Sequence, residues 1–216
     1  MQVLGVDPSR PHAGRLTRAA RVLDAGGVVA LPTETVYGLA VDAFNPEALT
    51  GLNRIKRKSV HSPILLLLSR VNQVEEVAVG VPPLFHELAG LYWPGPLTLI
   101  VPASDRLPRE VGGGRGTVAV RVPGLALPRR LATELGRVIT GVSANLHDEP
   151  PCRTASDVAR VFPRGVEMIL DGGPTPGGLS STILDLTAAR PRVVREGLVP
   201  ISSLRAFLPE LAVAPS

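Results

Sequence analysis

The chain has 216 residues, of which 44% are hydrophobic and 19% charged, and carries a net charge of +4. This length allows one sizeable core. The longest apolar runs, such as residues 63–68, are too short to cross a bilayer. The N-terminal residues lack the basic start and apolar centre of a signal peptide. The single cysteine, Cys152, excludes an internal disulfide framework and a cysteine-built metal site, so we expect a cytoplasmic protein with no membrane partner.

Hydrophobic periodicity divides the chain into alternating helices and strands. The pattern predicts helices over residues 15–27, 45–56, 82–92, 127–135, 154–162 and 203–208. It predicts strands over residues 28–32, 63–68, 96–102, 117–123, 137–144, 167–173, 181–186 and 192–196. Asn45 and Thr154 are of the type that caps a helix N-terminus.

The order of these elements favours the α/β class. Helices and strands alternate early and strands cluster late, which indicates a single domain with a twisted, mixed open sheet flanked by helices. We place this domain at residues 12–200, with terminal extensions at 1–11 and 201–216. In such sheets ligands bind at the ends of strands.

Polar side chains fall at several predicted strand ends. Thr33–Thr35 follow one strand, residues 56–62 precede another, and Ser143 and Asn145 follow a third. Within residues 117–123 the alternation puts three valines on one face and Arg121 on the other, which directs Arg121 to a lined cavity or to solvent.

Several standard sites are absent from the sequence. There is no P-loop, no G-x-G-x-x-G after a strand, no H-E-x-x-H and no G-x-S-x-G. What remains is a set of hydroxyls and isolated positive charges that suit a phosphorylated or carboxylated small molecule. The set comprises Thr35, Thr117, Ser143, Ser180, Ser181, Thr182, Lys56, Lys58, Arg121 and Arg195. No nucleophile is evident, so catalysis would act through positioning and charge stabilisation.

Seven ordered blocks between Leu31 and Gly197 resemble the TsaC/YrdC family, specifically its threonylcarbamoyl-AMP synthases. They are "LPTETVYGLA", "IKRK" with "SPI", "WPGPLTLIVP", "VAVRVP", "TGVSANLHDEP", "DGG" with "SSTILDL", and "VVREG". Because the chain ends soon after Gly197, it looks like the short, single-domain form of the family.

The resemblance implies a nucleotidyltransferase that makes threonylcarbamoyl adenylate and pyrophosphate from L-threonine, bicarbonate and ATP. Its product would feed the threonylcarbamoyladenosine modification of tRNA through a downstream transferase complex. The implied fold is an α/β open sheet with a positively charged cavity that has also been regarded as binding double-stranded RNA. Mg²⁺ would be carried with ATP, and no protein-bound metal is predicted.

The resemblance also implies roles for individual residues. It assigns the threonine pocket to Thr33, Thr35, Arg121, Gly141 and Ser181. It assigns ATP contacts to Lys58, Ser62, Thr117, Ser143, Asn145, Pro151 and Arg195. It assigns charge balance during catalysis to Lys56, Lys58 and Arg195, whereas Glu34 is a candidate general base by proximity alone.

Four positions depart from the family pattern. Lys58 replaces a usual arginine and loses its bidentate fork, and Ser62 and Pro151 replace a common asparagine and serine. Leu67 stands where longer relatives carry a histidine. The alternatives are therefore a catalytically impaired relative that binds RNA or nucleotide, and a related enzyme with another carbamoyl source.

Overall fold

Two mixed β-sheets flanked by helices form the frame of the molecule. The computed structural model describes residues 1–57, 59, 62–146 and 149–213. The strands among them are β1 (Gln2–Gly5), β2 (Val29–Pro32), β3 (Tyr37–Ala40), β4 (Leu65–Leu67), β5 (Leu97–Pro102), β6 (Thr117–Arg121), β7 (Ile139–Thr140), β8 (Val142–Ser143), β9 (Met168–Asp171), β10 (Thr182–Asp185), β11 (Arg192–Arg195) and β12 (Ala212–Val213).

Helices flank the two sheets. They are α1 (Ala13–Asp24), α2 (Pro46–Ile55), α3 (Pro83–Tyr92), α4 (Arg109–Gly112), α5 (Ala126–Leu135), α6 (Ala155–Val161) and α7 (Ile201–Phe207), with a 3₁₀ helix at Val71–Glu76. The predicted caps are confirmed: Asn45 accepts from Ala48 N–H at 3.0 Å, and Thr154 forms a reciprocal capping box with Asp157. No described helix combines the length and apolarity needed to span a bilayer.

The strand order explains how distant parts of the chain meet. The five-stranded sheet runs β1-β9-β2-β3-β8, and the seven-stranded sheet runs β12-β11-β10-β5-β6-β4-β7. In the first sheet, β9 lies between β1 and β2 and pairs parallel with both. Strand β1 therefore depends on a late strand for its pairing, whereas β2 pairs with β9 on one edge and with β3 on the other.

The two sheets are joined where the chain passes from β7 to β8 through Gly141. Its N–H donates to the Leu65 carbonyl at 2.8 Å. A Cβ at this position would lie 2.6 Å from Leu67 Cδ1, closer than carbon atoms can pack. Glycine is therefore required for the close approach of the strand to β4.

The predicted α/β class with a single domain is confirmed, and the structure adds detail to it. The strand expected over residues 137–144 is two short strands in different sheets, because the chain changes its pairing partner from β4 to β3 at Gly141. Strands β1, β3 and β12, helix α4 and the 3₁₀ helix were not predicted. Strand β1 comes from the expected N-terminal extension and pairs fully with β9, while the boundaries at residues 12 and 200 stay a prediction.

The buried carboxylate of Asp42 connects the segment before α2 to the segment before β7. Asp42, whose side chain is 4% exposed, accepts from Arg137 Nη1 at 2.7 Å and from Phe44 N–H at 2.9 Å. The same guanidinium also pairs with Asp24, whose side chain is 66% exposed. Asp42 is shielded from water in the folded protein and needs the bond to Arg137, whereas Asp24 stays largely hydrated. The ion pair of Arg137 with Asp42 should therefore contribute more to stability than the one with Asp24.

We expect Arg137→Ala to lower the free energy of unfolding by about 2 kcal/mol, because it leaves the Asp42 charge buried without its partner. The control Asp24→Ala removes the exposed arm and should cost less than about 1 kcal/mol. Urea denaturation with an unchanged slope would measure both. Equal losses in the two variants would contradict this account.

Candidate functional site

A cavity of about 360 Å³ lies where the two sheets meet, a volume within the usual range of small-molecule sites. The five-stranded sheet contributes the turn after β2 and the start of β8. The seven-stranded sheet contributes the inner faces of β4, β5, β6, β10 and β11. The register places Arg195, Ile183 and Thr98 side by side across three of these strands, so their side chains share the cavity face.

The turn between β2 and β3 holds two buried hydroxyls in a defined arrangement. Thr33 Oγ1 donates to the Val36 carbonyl at 2.8 Å and lies 2.8 Å from Thr35 Oγ1. Since a hydroxyl has one proton, the proton between the two threonines comes from Thr35. The lone pairs of Thr35 Oγ1 are then left to accept a hydrogen bond from a ligand in the cavity.

Arg121 places a charge deep inside the molecule. The residue is 2% exposed, its Nε is buried without a hydrogen-bond partner, and its guanidinium donates to no described residue. Its described counter-ion is Glu34, 3.8 Å from Nη1. Burial lowers the pKa of Arg121 and Glu34 opposes that shift. Because a buried charge needs paired donors, this arginine indicates an anionic ligand.

Glu34 lies behind Arg121, outside the residues that line the cavity. Its Oε2 accepts from Leu125 N–H at 3.3 Å, and Oε1 faces Arg121. Glu34 therefore balances the charge of Arg121 from the side away from the cavity. The idea that Glu34 is a general base, which rested on proximity in sequence, gains no support from this geometry and stays a prediction.

Arg195 supplies a second guanidinium near the first. Its Nη2 donates to the Ser181 carbonyl at 2.9 Å, and Ser181 Oγ lies 2.9 Å from Thr98 Oγ1. Partial burial lowers the pKa of Arg195, and the nearby charge of Arg121 lowers it further. The two arginines repel each other, so an anion bound between them would be favoured.

Lys56 connects the end of α2 to the loop after β8. Directly beyond it, Arg57 adopts a left-handed φ of 53°, a conformation usually given to glycine after a helix. The Lys56 ammonium donates to the Ser143 carbonyl and, at 2.8 Å, to the Asn145 carbonyl. The lysine thus orders the loop formed by Ser143, Ala144 and Asn145, called the S-x-N loop below, while its charge faces the cavity.

The S-x-N loop is further fixed by its own side chains. Ser143 Oγ donates to Asn145 Oδ1 at 2.6 Å, and Asn145 Nδ2 donates to the carbonyls of Leu146 and Glu149, each at 2.8 Å. The amide of Asn145 is therefore engaged in loop structure, and the hydroxyl oxygen of Ser143 keeps acceptor capacity toward the cavity.

Among the described residues, the cavity lining carries four positive side chains and no aspartate or glutamate. The four are Lys56, Arg115, Arg121 and Arg195. One wall is apolar and includes Leu65, Ile100, Ala119, Ile183 and Val194. The cavity can therefore hold a molecule with several anionic groups and an apolar or aromatic part.

Most of the site residues predicted from the sequence meet in this cavity. Those that line it are Thr33, Thr35, Lys56, Thr117, Arg121, Gly141, Ser143, Asn145, Ser181 and Arg195. Ser62 and Pro151 are described but are not part of the lining, and Lys58 lies outside the described residues. The roles assigned to all of these residues stay predictions.

Sequence reasoning missed two polar residues of the lining, Thr98 and Arg115. Thr98 is a hydroxyl inside the apolar run of β5, and Arg115 stands alone among four glycines before β6. A hydroxyl in an apolar run and an arginine between glycines are both noticeable in the sequence. Neither pattern shows that the residue lines the same cavity as the other site residues.

Other reactive groups serve the fold. Burial raises the pKa of the Cys152 thiol to about 11, so it stays protonated at neutral pH. Burial and Asp171 raise the pKa of Tyr37 to about 12, and its hydroxyl donates to the Gly173 carbonyl at 2.8 Å. Within the described residues, no group of three or more His, Cys, Asp or Glu side chains is placed to hold a metal.

Known proteins match this chain in both sequence and structure. The threonylcarbamoyl-AMP synthase of Pyrococcus abyssi is 36% identical over 92% of this chain and 58% of its own length. A putative threonylcarbamoyl-AMP synthase of Mycobacterium tuberculosis is 34% identical over 92% of this chain and 90% of its own length. The crystal structure of P. abyssi Sua5 complexed with L-threonine matches with a TM-score of 0.95 and 34% identity, over 100% of this chain and 63% of that one.

The chain thus spans little more than half of the P. abyssi protein and nearly all of the mycobacterial one. A family model, Sua5_yciO_yrdC, described as "Telomere recombination", matches residues 21–197. With most of its length covered by that model, and with relatives above 30% identity across the same region, the chain belongs to the Sua5/YciO/YrdC family.

Proposed function

We propose that this protein is a threonylcarbamoyl-AMP synthase, which converts L-threonine, bicarbonate and ATP into threonylcarbamoyl adenylate and pyrophosphate. The observation that carries the proposal is the buried Arg121 guanidinium, whose Nε has no hydrogen-bond partner among the described residues. This guanidinium lines a cavity to which the described residues contribute no aspartate or glutamate. The names of the similar proteins supply the substrate class.

Arg121 would bind the carboxylate of L-threonine. A carboxylate matches the planar fork of a guanidinium and compensates a charge that Glu34 reaches only at 3.8 Å. Thr35 would accept a hydrogen bond from the amino or hydroxyl group of the substrate, because its own proton is donated to Thr33. Gly141 and Ser181 would complete this pocket.

The nucleotide would occupy the remainder of the cavity. Arg195, Lys56 and Thr117 supply positive charge or hydroxyl groups for the phosphates, and the apolar wall suits the base. Lys58, Ser62, Ser143, Asn145 and Pro151 remain the other proposed ATP contacts. Mg²⁺ would arrive bound to the phosphates of ATP as part of the substrate.

The reaction would proceed in two steps that balance. The neutral amine of threonine attacks the bicarbonate carbon, forming a C–N bond and releasing water, which leaves a carbamate. A carbamate oxygen then attacks the α-phosphorus of ATP in line, and the bond to the β-phosphate oxygen breaks with its electron pair passing to pyrophosphate. The cavity's positive charges would stabilise the negative charge that accumulates on the phosphates.

The proposal extends to nucleotidyl transfer as the reaction class and to tRNA modification as the setting. The adenylate would be consumed by a tRNA threonylcarbamoyl transferase complex in the cytoplasm. Direct contact with tRNA or double-stranded RNA stays a prediction, and no observation favours the impaired, binding-only alternative.

The function is tested by incubating the purified protein with ATP, Mg²⁺, L-threonine and bicarbonate. Mass spectrometry should detect the adenylate and pyrophosphate, and omission of any one substrate should abolish both. The absence of the adenylate in the complete mixture, while ATP is still bound, would refute the synthase and leave a nucleotide-binding protein.

Arg121→Lys should raise the KM for L-threonine by about 100-fold, because the bidentate contact to the carboxylate is lost. The KM for ATP should change little. Arg18→Ala, which removes an exposed arginine on α1, is the matched control and should behave as the wild type. An unchanged KM for L-threonine in Arg121→Lys would show that Arg121 does not bind the substrate carboxylate.

Thr35→Val should raise the KM for L-threonine by about tenfold, since it deletes one acceptor of a hydrogen bond in a buried pocket. Thr35→Ser keeps the hydroxyl and should restore most of the affinity. Steady-state kinetics at saturating ATP would measure the KM for L-threonine in both variants. Equal increases of this KM in Thr35→Val and Thr35→Ser would show that Thr35 acts through packing and not through its hydroxyl.

A further inference from the structure

A glycine-rich turn holds Arg115 at the edge of the cavity. Gly113, Gly114 and Gly116 all adopt positive φ, at 59°, 78° and 67°, which glycine allows at little cost. The Arg115 N–H donates to the Gly112 carbonyl at 3.2 Å, and a Cβ on Gly112 would lie 2.7 Å from the Thr117 carbonyl. Residues other than glycine would therefore be strained at these four positions, and the turn they form sets the position of the Arg115 backbone.

The Arg115 side chain has no described partner, in contrast to the other positive groups of the cavity. Arg121 faces Glu34, Arg195 donates to Ser181, and Lys56 donates to the loop after β8. Within the part of the chain that the structure describes, Arg115 makes no side-chain hydrogen bond or ion pair, although it lines the cavity. Its planar set of donors is thus available to a ligand.

The position of Arg115 relative to Arg121 indicates which part of a ligand it meets. Thr117, Ala119 and Arg121 are alternate residues of β6 on the cavity face, and Arg115 precedes them on the same lining. Thr117 and Arg121 are four residue steps apart, about 13 Å along an extended strand. If the substrate carboxylate lies at Arg121, the outer end of β6 is left for the anionic groups farthest from it.

In the in-line arrangement of the proposed function, those groups are the β- and γ-phosphates. The order from the carboxylate outward is carbamate, α-phosphate and then the leaving pyrophosphate. We propose that Arg115 binds the β- and γ-phosphates of ATP and stabilises pyrophosphate as it departs. As the bond between the α-phosphorus and the bridging oxygen breaks, its electron pair adds charge to pyrophosphate, which the guanidinium neutralises. The assignment rests on the proposed function.

Binding measurements without turnover test the assignment directly. Isothermal titration calorimetry with Mg²⁺, and without threonine or bicarbonate, should give Kd values for ATP and pyrophosphate about tenfold weaker in Arg115→Ala than in the wild type. The Kd for AMP, which lacks both outer phosphates, should change less than twofold. Arg109→Ala, an exposed arginine on α4 outside the cavity lining, should leave all three unchanged.

Two results would overturn the assignment: an equal loss of AMP and ATP affinity, or an unchanged affinity for pyrophosphate. An unaltered urea midpoint in Arg115→Ala would show that the exposed side chain is not needed for folding. Arg115→Lys, which keeps the charge but loses the fork, should fall between alanine and the wild type.

Turnover separates this assignment from the function itself. In an active enzyme, Arg115→Ala should lower kcat about tenfold and leave the Kd for L-threonine unchanged, because the charge it stabilises develops in the transition state. If the wild type forms no adenylate, the synthase proposal fails, while the comparison of pyrophosphate with AMP still decides whether Arg115 binds the outer phosphates.

Discussion

The buried charge of Arg121 is the constraint on which the site depends. A guanidinium enclosed between two sheets must be compensated, and Glu34 compensates it from behind without occupying the cavity. Glu34 opposes the lowering of the Arg121 pKa by burial, and this arrangement leaves guanidinium donors for a ligand. Arg195, held against Ser181, adds a second charge that the first repels. The unliganded site therefore carries an electrostatic cost that a bound anion would relieve.

The hydrogen bonds around the cavity divide its polar groups into two kinds. Thr33, Asn145 and Lys56 direct donors to backbone carbonyls, so they fix the turn after β2 and the loop after β8. Thr35 and Arg115 keep bonding capacity that faces the cavity. A site built in this way is preorganised, because substrate binding need not break the contacts that define its shape.

Much of this arrangement could be predicted from sequence patterns, and the exceptions have physical causes. The alternation over residues 117–123 placed Arg121 opposite the buried valines, and the caps at Asn45 and Thr154 were correctly identified. The split of residues 137–144 into two sheets was missed, because the close approach of Leu67 that requires Gly141 is a tertiary contact. The ion pair of Glu34 with Arg121 was not predicted for the same reason, since the two residues lie 87 positions apart in the sequence. Arg115 was overlooked because a lone arginine in a glycine run has no periodicity to read.

The position of β9 has a consequence for how the chain acquires its structure during synthesis. Because β9 separates β1 from β2, neither early strand can complete its pairing until the segment ending at Asp171 has left the ribosome. Until then β1 and the edge of β2 that is not paired with β3 expose backbone donors and acceptors to other chains. The charged cavity also needs Arg195, so a nascent chain would become competent to bind its ligand only after β11 has emerged as well.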